Sequence, residues 1–450
     1  MVAVFATLYA VLGLSRHWRF GTGYDLAIFD QVVWHLSRFE IPASTITGHT
    51  NIFGDHFHPI IALFAPLYWF APAPETLIVA QAILLSASIV PVFYFIRDRL
   101  PERAALALSV AYGLFWGMQR IAVTDVHELA FAPLLIATGI LAIDRQRWRL
   151  LWTVAAILVV VKEDMIPVVA AFGALVALRG PRRMQGALMA ASALILFWAV
   201  VQIVIPWFNN GAPWTTGGAF AAFWQRPWTA PVLLVTPPAK LRTIVIWLAP
   251  FVFLPLRSPY GWLLVPIAAE RLLSAVPFHY GGGAHYSAPL APILAMSAAD
   301  GLARLAASVS PETRGRVITS FAAATVVIAS VVPGHQPHWR LFRARQDQPP
   351  SATAAATQAL SLIPPLASVV AQATLAPHLS HRAEIPILQP GSPDADYVIA
   401  APDLDPWPVT RDELVGLLLE RRQRGYVPMF DENGWIVLRN LRITQAAGGR

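Results

Sequence analysis

Apolar runs recur through the first three-quarters of this chain, separated by short polar breaks. They cover residues 1–14, 77–96, 103–117, 129–143, 150–161, 165–178, 186–206, 241–256, 261–273, 286–302 and 317–332. Lipid offers no water to backbone N–H and C=O groups, so runs placed in a bilayer are confined to helices. Several are shorter than the ~20 residues of a perpendicular span, so their ends are soft. Of the 450 residues, 56% are hydrophobic and only 13% charged, against about 25% charged in soluble domains. One soluble core cannot hide that surplus. The predicted fold class is mainly α, a polytopic transmembrane bundle of about eleven helices, with a small C-terminal extracytoplasmic α/β domain.

The chain has no cysteine, which excludes disulfides and thiolate metal sites. No stretch has the small-residue exit site of a secretory signal peptide. The net charge of +7 comes almost wholly from arginine. No basic stripe interleaves with aromatics, so nucleic acid is not an expected partner.

Arginine placement orients the bundle, because short cytoplasmic connections are enriched in basic residues. Every second connection carries them: Arg97, Arg99 and Arg103; Arg145, Arg147 and Arg149; Arg179, Arg182 and Arg183; Arg257; and Arg304, Arg314 and Arg316. The expectation is a multi-pass cell-membrane protein with a cytoplasmic N-terminus and everything after Val332 outside. The alternate connections gather acids and histidines instead, and that partition played no part in assigning the sides. A run at 59–70, "PIIALFAPLYWF", is too short to span and contains Pro66. It reads as an interfacial helix, which keeps the parity.

Residues 1–332 are thus assigned to the membrane domain, with a large first outer loop at 15–76. A Pro-, Gln- and Arg-rich linker follows at 333–353, then an α/β domain at 354–443 and a tail at 444–450. Strands are expected at 368–371 and 397–401, and an amphipathic helix at 410–424. A hairpin with Glu432-Asn433-Gly434 at its turn closes the domain. No glycine fingerprint for a nucleotide is present.

The outer connections supply the candidate site. Asp25 precedes a helical pattern as an N-cap would, whereas Asp30 lies too far on for capping. Ionisable groups near the membrane plane default to function. "FGDHFHPI" holds Asp55, His56 and His58, with Pro59 suited to a first helical position. It is expected to run from an extended strand into the interfacial helix. Asp125, His127 and Glu128 offer oxygen and imidazole donors, although Asp125 and Glu128 also fit a capping box. In "KED", Lys162 suits a phosphate, and Glu163 or Asp164 a metal; a tight turn is the plain reading. "ERLLSAVPFHYGGGAHYSAP" places Glu270, Arg271, His279, His285 and Tyr286 around three glycines. Backbone N–H groups of such a run can cradle phosphate.

The stretches "YDLAIFDQVVW", "DHFHPIIALFAPLY", "VHELAFAPLL", "KEDMIP" and "HYSAPLAPIL" resemble the polytopic proteins grouped as domain of unknown function 2079, over roughly residues 1–332. The tail segments "ASVVAQATLAPHLSHR" and "ADYVIA" are similar to the soluble tail of those relatives. That group in turn resembles the GT-C membrane glycosyltransferases. The resemblance implies transfer of a sugar from a polyprenyl-phosphate donor to a glycan, lipid or protein acceptor at the outer face. It implies a catalytic acid in the first outer loop, matched by Asp25 or Asp30, and a proline motif after it. Here there are two acids, and only the single His58-Pro59. From the residues' own donor chemistry, the candidate ligands of a divalent cation, Mg2+ or Mn2+, are Asp55, Asp125, His127, Glu128, Glu163 and Asp164, and the candidate substrate contacts are His56, His58, Lys162, Arg271, His279, His285 and Tyr286. A transporter or flippase of lipid-linked glycans is the alternative, but no internal repeat is found and the acids sit at loop edges. A non-catalytic membrane scaffold is a third reading.

Overall fold

The computed structural model describes residues 1–334, 336–341 and 350–441, and the chain divides into two compact units. Of the 333–353 linker, 335 and 342–349 lie outside the described residues; its described part holds a 3₁₀ turn, Pro337–Leu341, and the start of helix Pro350–Ser361, while the 444–450 tail falls wholly outside them.

The first unit, residues 1–12, 53–61 and 79–342, is helical. Among the described residues of the whole chain, four helices are long and apolar enough to cross a bilayer: Pro74–Arg97, Arg183–Phe208, His285–Ala307 and Pro311–Val331. A fifth is the broken pair Glu102–Leu114 and Trp116–Val123, bent by 40°. Phe115, between them, is extended at φ −56° and ψ 130°. Val2–His17, Pro59–Tyr68 and Trp148–Leu158 are shorter apolar helices. The expected interfacial segment is a 3₁₀ turn, Pro59–Phe64, running into Ala65–Tyr68. Arg183–Phe208 exposes Leu188, Leu194, Ile195 and Trp198, as a lipid-facing helix does. Its π-turn, Val200–Val204, precedes Pro206, whose missing N–H disrupts the regular ladder.

Two expectations need correction. The run 241–256 is not one helix. It ends as Ala239–Leu248, passes through Pro250, and has Val252 and Phe253 left-handed before Pro255. The stretch before His56 is not a strand but a 3₁₀ turn, Ile52–Gly54.

The arginine-bearing connections of this unit meet at one end. Arg99, Asp144, Arg179, Tyr260, Asp300 and Arg304 line one cavity of about 320 Å³. Arg99 pairs with Asp144 and lies 3.3 Å from Asp300, while Tyr260 donates to Asp144 at 2.8 Å. The helices Ile166–Arg179 and Arg183–Ala199 approach closely through Gly173 and Gly186. A Cβ on Gly173 would lie 2.4 Å from Ala190 N and 2.6 Å from Gly186 O.

The second unit comprises 13–52, 62–78 and the described residues from 350 onward. Most of the first outer loop therefore belongs to the same compact unit as the C-terminal domain. Its sheet has the order β1 (Val369–Ala371), β2 (Tyr397–Ala400), β4 (Trp435–Asn440), β3 (Tyr426–Glu432). β1 and β2 are parallel and the other pairs antiparallel. The β3–β4 turn has Asn433 and Gly434 at φ 51° and 79°, the left-handed pair of a tight hairpin. Helix Arg411–Gln423 starts with a capping box, Thr410 and Glu413. Leu414 and Leu418 pack on Val370, Val398 and Leu438. From the first loop comes helix Tyr24–Ser37, whose Gln31 donates to Arg382 O at 3.0 Å.

Candidate functional site

Three helices of the first unit begin in the same way. An extended residue precedes a 3₁₀ turn, and two of the turns carry acids. His127 leads Glu128–Phe131, Lys162 leads Glu163–Met165, and Ala284 leads His285–Ser287. Pro133 and Pro167 then sit in the first turns of Ala132–Asp144 and Ile166–Arg179. Proline costs nothing there, because that N–H has no helical partner, and acids suit the positive end of the helix. Extended residues at helix starts thus project His127 and Lys162.

The acid–histidine stretch at 53–60 joins them. Ile60 N donates to Val160 O at 2.9 Å, tying 53–61 to the turn before Lys162. His56 Nδ1 lies 2.6 Å from Glu163 Oε1, and Phe57 N donates to Oε2 at 2.9 Å. Trp214 Nε1 donates to Glu163 Oε1 at 3.2 Å. Lys162 Nζ lies 3.1 Å from Glu128 Oε1, with both side chains buried. The His127 and His285 rings lie 3.4 Å apart, and Tyr286 packs on His285 at 4.1 Å. Gln81 fixes the His127 turn: its amide donates to Ile121 O and Asp125 O and accepts from His127 N at 3.0 Å.

These neighbours set the charges. Burial alone would raise the Glu128 carboxyl, but Lys162 beside it holds it at about 2. The same pairing keeps Lys162 charged, well above its ordinary value, against the pull of burial. His56 is raised despite burial and Lys162, because Glu163 faces it. His58, next along the segment, is lowered by burial to about 4 and is neutral. Burial raises Asp164 to about 7 against the pull of Lys162, and its Oδ1 is buried with no hydrogen-bond partner among the described residues. Lys162 thus balances Glu128, His56 pairs with Glu163, and Oδ1 of Asp164 remains without a partner among the described residues.

Other candidates lie differently. Arg271 is turned inward: Nε donates to His279 O at 2.7 Å, Nη2 to Gly281 O at 2.8 Å, and Nη1 to Ser287 Oγ. It packs over Trp247 and braces the glycine loop rather than presenting its fork to a ligand. His279 Nδ1 lies 2.9 Å from Ser274 Oγ, and burial lowers this histidine to about 4. Asp55 and Asp125 are half-buried. Asp25 and Asp30 belong to the second unit. Asp25 is in the first turn of helix Tyr24–Ser37, two positions past the N-cap Gly23. Asp30 is fully buried, accepts from Tyr68 Oη and Ser380 Oγ, and lies 3.0 Å from His381 Nε2.

The expected divalent-cation site does not fit these residues. Among the described residues, no three His, Asp or Glu side chains converge as a metal ion requires. Glu128 is committed to Lys162, and Glu163 to His56, Phe57 N and Trp214. Sequence reasoning missed Trp214, which lies in a charge-poor stretch, and Gln81. A lone glutamine inside an apolar run was the available signal for Gln81.

Comparison with known proteins follows the same lines. The solved structure of ArnT from Cupriavidus metallidurans bound to undecaprenyl phosphate matches with a TM-score of 0.55 at 13% identity, covering 98% of both chains. The oligosaccharyltransferase of Archaeoglobus fulgidus, tethered to an acceptor peptide, gives a TM-score of 0.48 at 13% identity, covering 90% of this chain and 69% of that one. No curated protein sequence matches. At such identity the first likeness shows the fold alone, one shared with the ArnT structure. The family model described as "Predicted membrane protein (DUF2079)" matches residues 16–437, nearly the whole length, and the chain therefore belongs to the DUF2079 family of membrane proteins.

Proposed function

We propose that this protein is an integral-membrane glycosyltransferase that takes a sugar from a polyprenyl-phosphate donor at the outer membrane face. The observation that carries the reading is the convergence on Lys162 and Asp164, with a buried cation and an uncommitted carboxylate on one turn. The shared fold supports it, since the ArnT structure holds undecaprenyl phosphate.

In this reading an acceptor hydroxyl attacks the anomeric carbon of the donor. The bond from that carbon to the phosphate oxygen breaks, and the phosphate leaves with the electron pair. Asp164 takes the hydroxyl proton as the new bond forms. Lys162 and protonated His56 face the charge growing on the phosphate, in a site whose own charges are already paired. Asp25 and Asp30 remain the acids implied by family resemblance. Asp164 is preferred because Asp30 is occupied by Tyr68, Ser380 and His381.

The test uses the full chain in nanodiscs with undecaprenyl-phosphate-linked hexoses and pentoses, reading release of undecaprenyl phosphate. Release that Asp164→Asn abolishes, while undecaprenyl phosphate still raises the melting temperature, is the expected result. Lys162→Met should remove that rise. No release from any donor, together with no melting shift from undecaprenyl phosphate, overturns the reading.

A further inference from the structure

A second cavity, of about 360 Å³, lies within the other unit. It is lined by His17, Asp30, Glu75, His378 and His381 among prolines. Its volume falls in the range of small-molecule sites, which pair apolar walls with a few fixed polar groups.

The polar groups here are held rigidly. His378 stacks on His17, with ring centroids 4.3 Å apart and 13° between planes, and touches Phe20 at 4.5 Å. His381 lies 6.0 Å from Trp34 and near-parallel to it, packs on Tyr68 at 5.6 Å, and sits 3.0 Å from Asp30 Oδ2. Glu75 accepts from Trp18 Nε1 at 3.2 Å and lies 3.8 Å from His17 Nε2. His378 Nε2 is buried and has no hydrogen-bond partner among the described residues, and His381 Nε2 has only its 3.0 Å ion-pair approach to Asp30. A buried polar atom without a partner is costly, and a ligand that pairs with it would recover that cost.

The charge balance selects the ligand. Burial lowers His378 to about 3, so its ring is neutral at physiological pH. Arg382 spends its guanidinium on the carbonyls of Leu379 and Ala367, at 2.6 and 2.8 Å. Two carboxylates, Asp30 and Glu75, therefore line the cavity with no unengaged cation among the lining groups named here. An anion would be repelled, whereas a hydroxyl can donate to Glu75 and pair with His378. Glu75 stands in the first turn of the apolar helix Pro74–Ala87, and His17 ends the apolar helix Val2–His17. Two of the cavity's lining groups thus stand at the ends of apolar helices.

We infer that this cavity binds a neutral, polyhydroxylated ring of about monosaccharide size, free or as the headgroup of a lipid. The inference does not depend on glycosyl transfer in the first unit.

The test uses the full-length protein in nanodiscs of zwitterionic phospholipid, free of sugar detergents. Melting temperature and tryptophan fluorescence are followed during titration with methyl hexopyranosides and myo-inositol as free rings. A monohexosyl diacylglycerol in the bilayer supplies the lipid arm. Glucose 6-phosphate and glucosamine are the charged counterparts. A neutral ring should bind saturably and more tightly than glucose 6-phosphate. His378→Ala and Glu75→Gln should each weaken it about tenfold, the loss of one hydrogen bond. His378→Gln, which keeps a donor and most of the volume, should bind better than His378→Ala and covers the case in which alanine unfolds the unit. Binding in one arm only identifies the source as free or lipid-linked. The inference falls if no neutral ring binds in either arm, if the phosphate counterpart binds more tightly, or if the variants bind like the parent.

Discussion

Replacing Glu128 by Gln removes the carboxylate that neutralises Lys162, and the size of the effect can be worked from the structure. The two groups are 3.1 Å apart, with side-chain exposures of 2% and 10%. A carboxyl ordinarily near 4.5 that titrates at about 2 is stabilised by roughly 3 kcal/mol in its ionised form. The range for breaking a buried pair by removing one partner, about 3–5 kcal/mol, agrees at its low end. The low end is expected, because Glu163 and Asp164 also face Lys162. The group is lowered, so its contribution is present above about pH 4.5 and is lost as pH falls toward 2. Glu128→Gln, Glu128→Leu and Lys162→Met should each cost about 3 kcal/mol at pH 7, the Leu and Met singles closing the cycle with the double below. The double variant Glu128→Leu with Lys162→Met should lie within about 1 kcal/mol of the parent, since a buried pair often breaks even against apolar residues. The assay is reversible unfolding in mixed micelles with increasing dodecyl sulfate, followed by tryptophan fluorescence. Single-variant losses that add in the double to within about 0.5 kcal/mol would show that the two groups do not interact, and the charge balance assigned to the site would be wrong.

Three further outcomes are expected. Asp164, raised by burial to about 7, favours its protonated form in the folded protein; its stabilising effect is complete below about pH 3.8 and is lost as pH rises through 7. Turnover should rise with pH through about 7, and Asp164→Glu should keep a rising limb that Asp164→Asn lacks; a flat profile in the parent would exclude Asp164 as base. Gly173→Val should lower the melting temperature sharply, because even its Cβ would fall 2.4 Å from Ala190 N; overpacking costs about 1–3 kcal/mol or more, and an unchanged melting temperature would refute the close approach. Reporter fusions after Arg183 and after Val332 should report opposite sides of the membrane, and the same signal from both would reject the orientation.

What the sequence made legible was set by the cost of charge in lipid. Because an arginine or a carboxylate is expensive inside a bilayer, ionisable residues were driven to the connections, and alternation then sorted them by face. That logic drew together Arg99, Arg179 and Arg304, which line one cavity with Asp144 and Asp300, two acids it had not singled out. It also put His56, Glu128, Lys162 and Glu163 on one face, and two ion pairs join them. It could not say which acid pairs with which base, because pairing depends on how helices cross rather than on which loop a residue occupies. Arg271 illustrates the limit: its sequence setting suits phosphate, yet the carbonyls of His279 and Gly281 claim its fork. The helix breaks at Phe115 and at Val252–Phe253 were hidden too, since an apolar run looks the same to hydropathy whether or not its backbone turns. Asp30 shows the deepest limit. Its partners Tyr68, Ser380 and His381 are up to 351 residues away, and no local periodicity reports a contact of that range. The carboxylate that looked most like a free catalytic acid is thus the one most fully engaged. Asp164, which read as part of a tight turn, keeps an unpartnered oxygen because Lys162 is held by Glu128 and His56 by Glu163. Availability for chemistry is what remains after such pairing, so it had to be read from the fold.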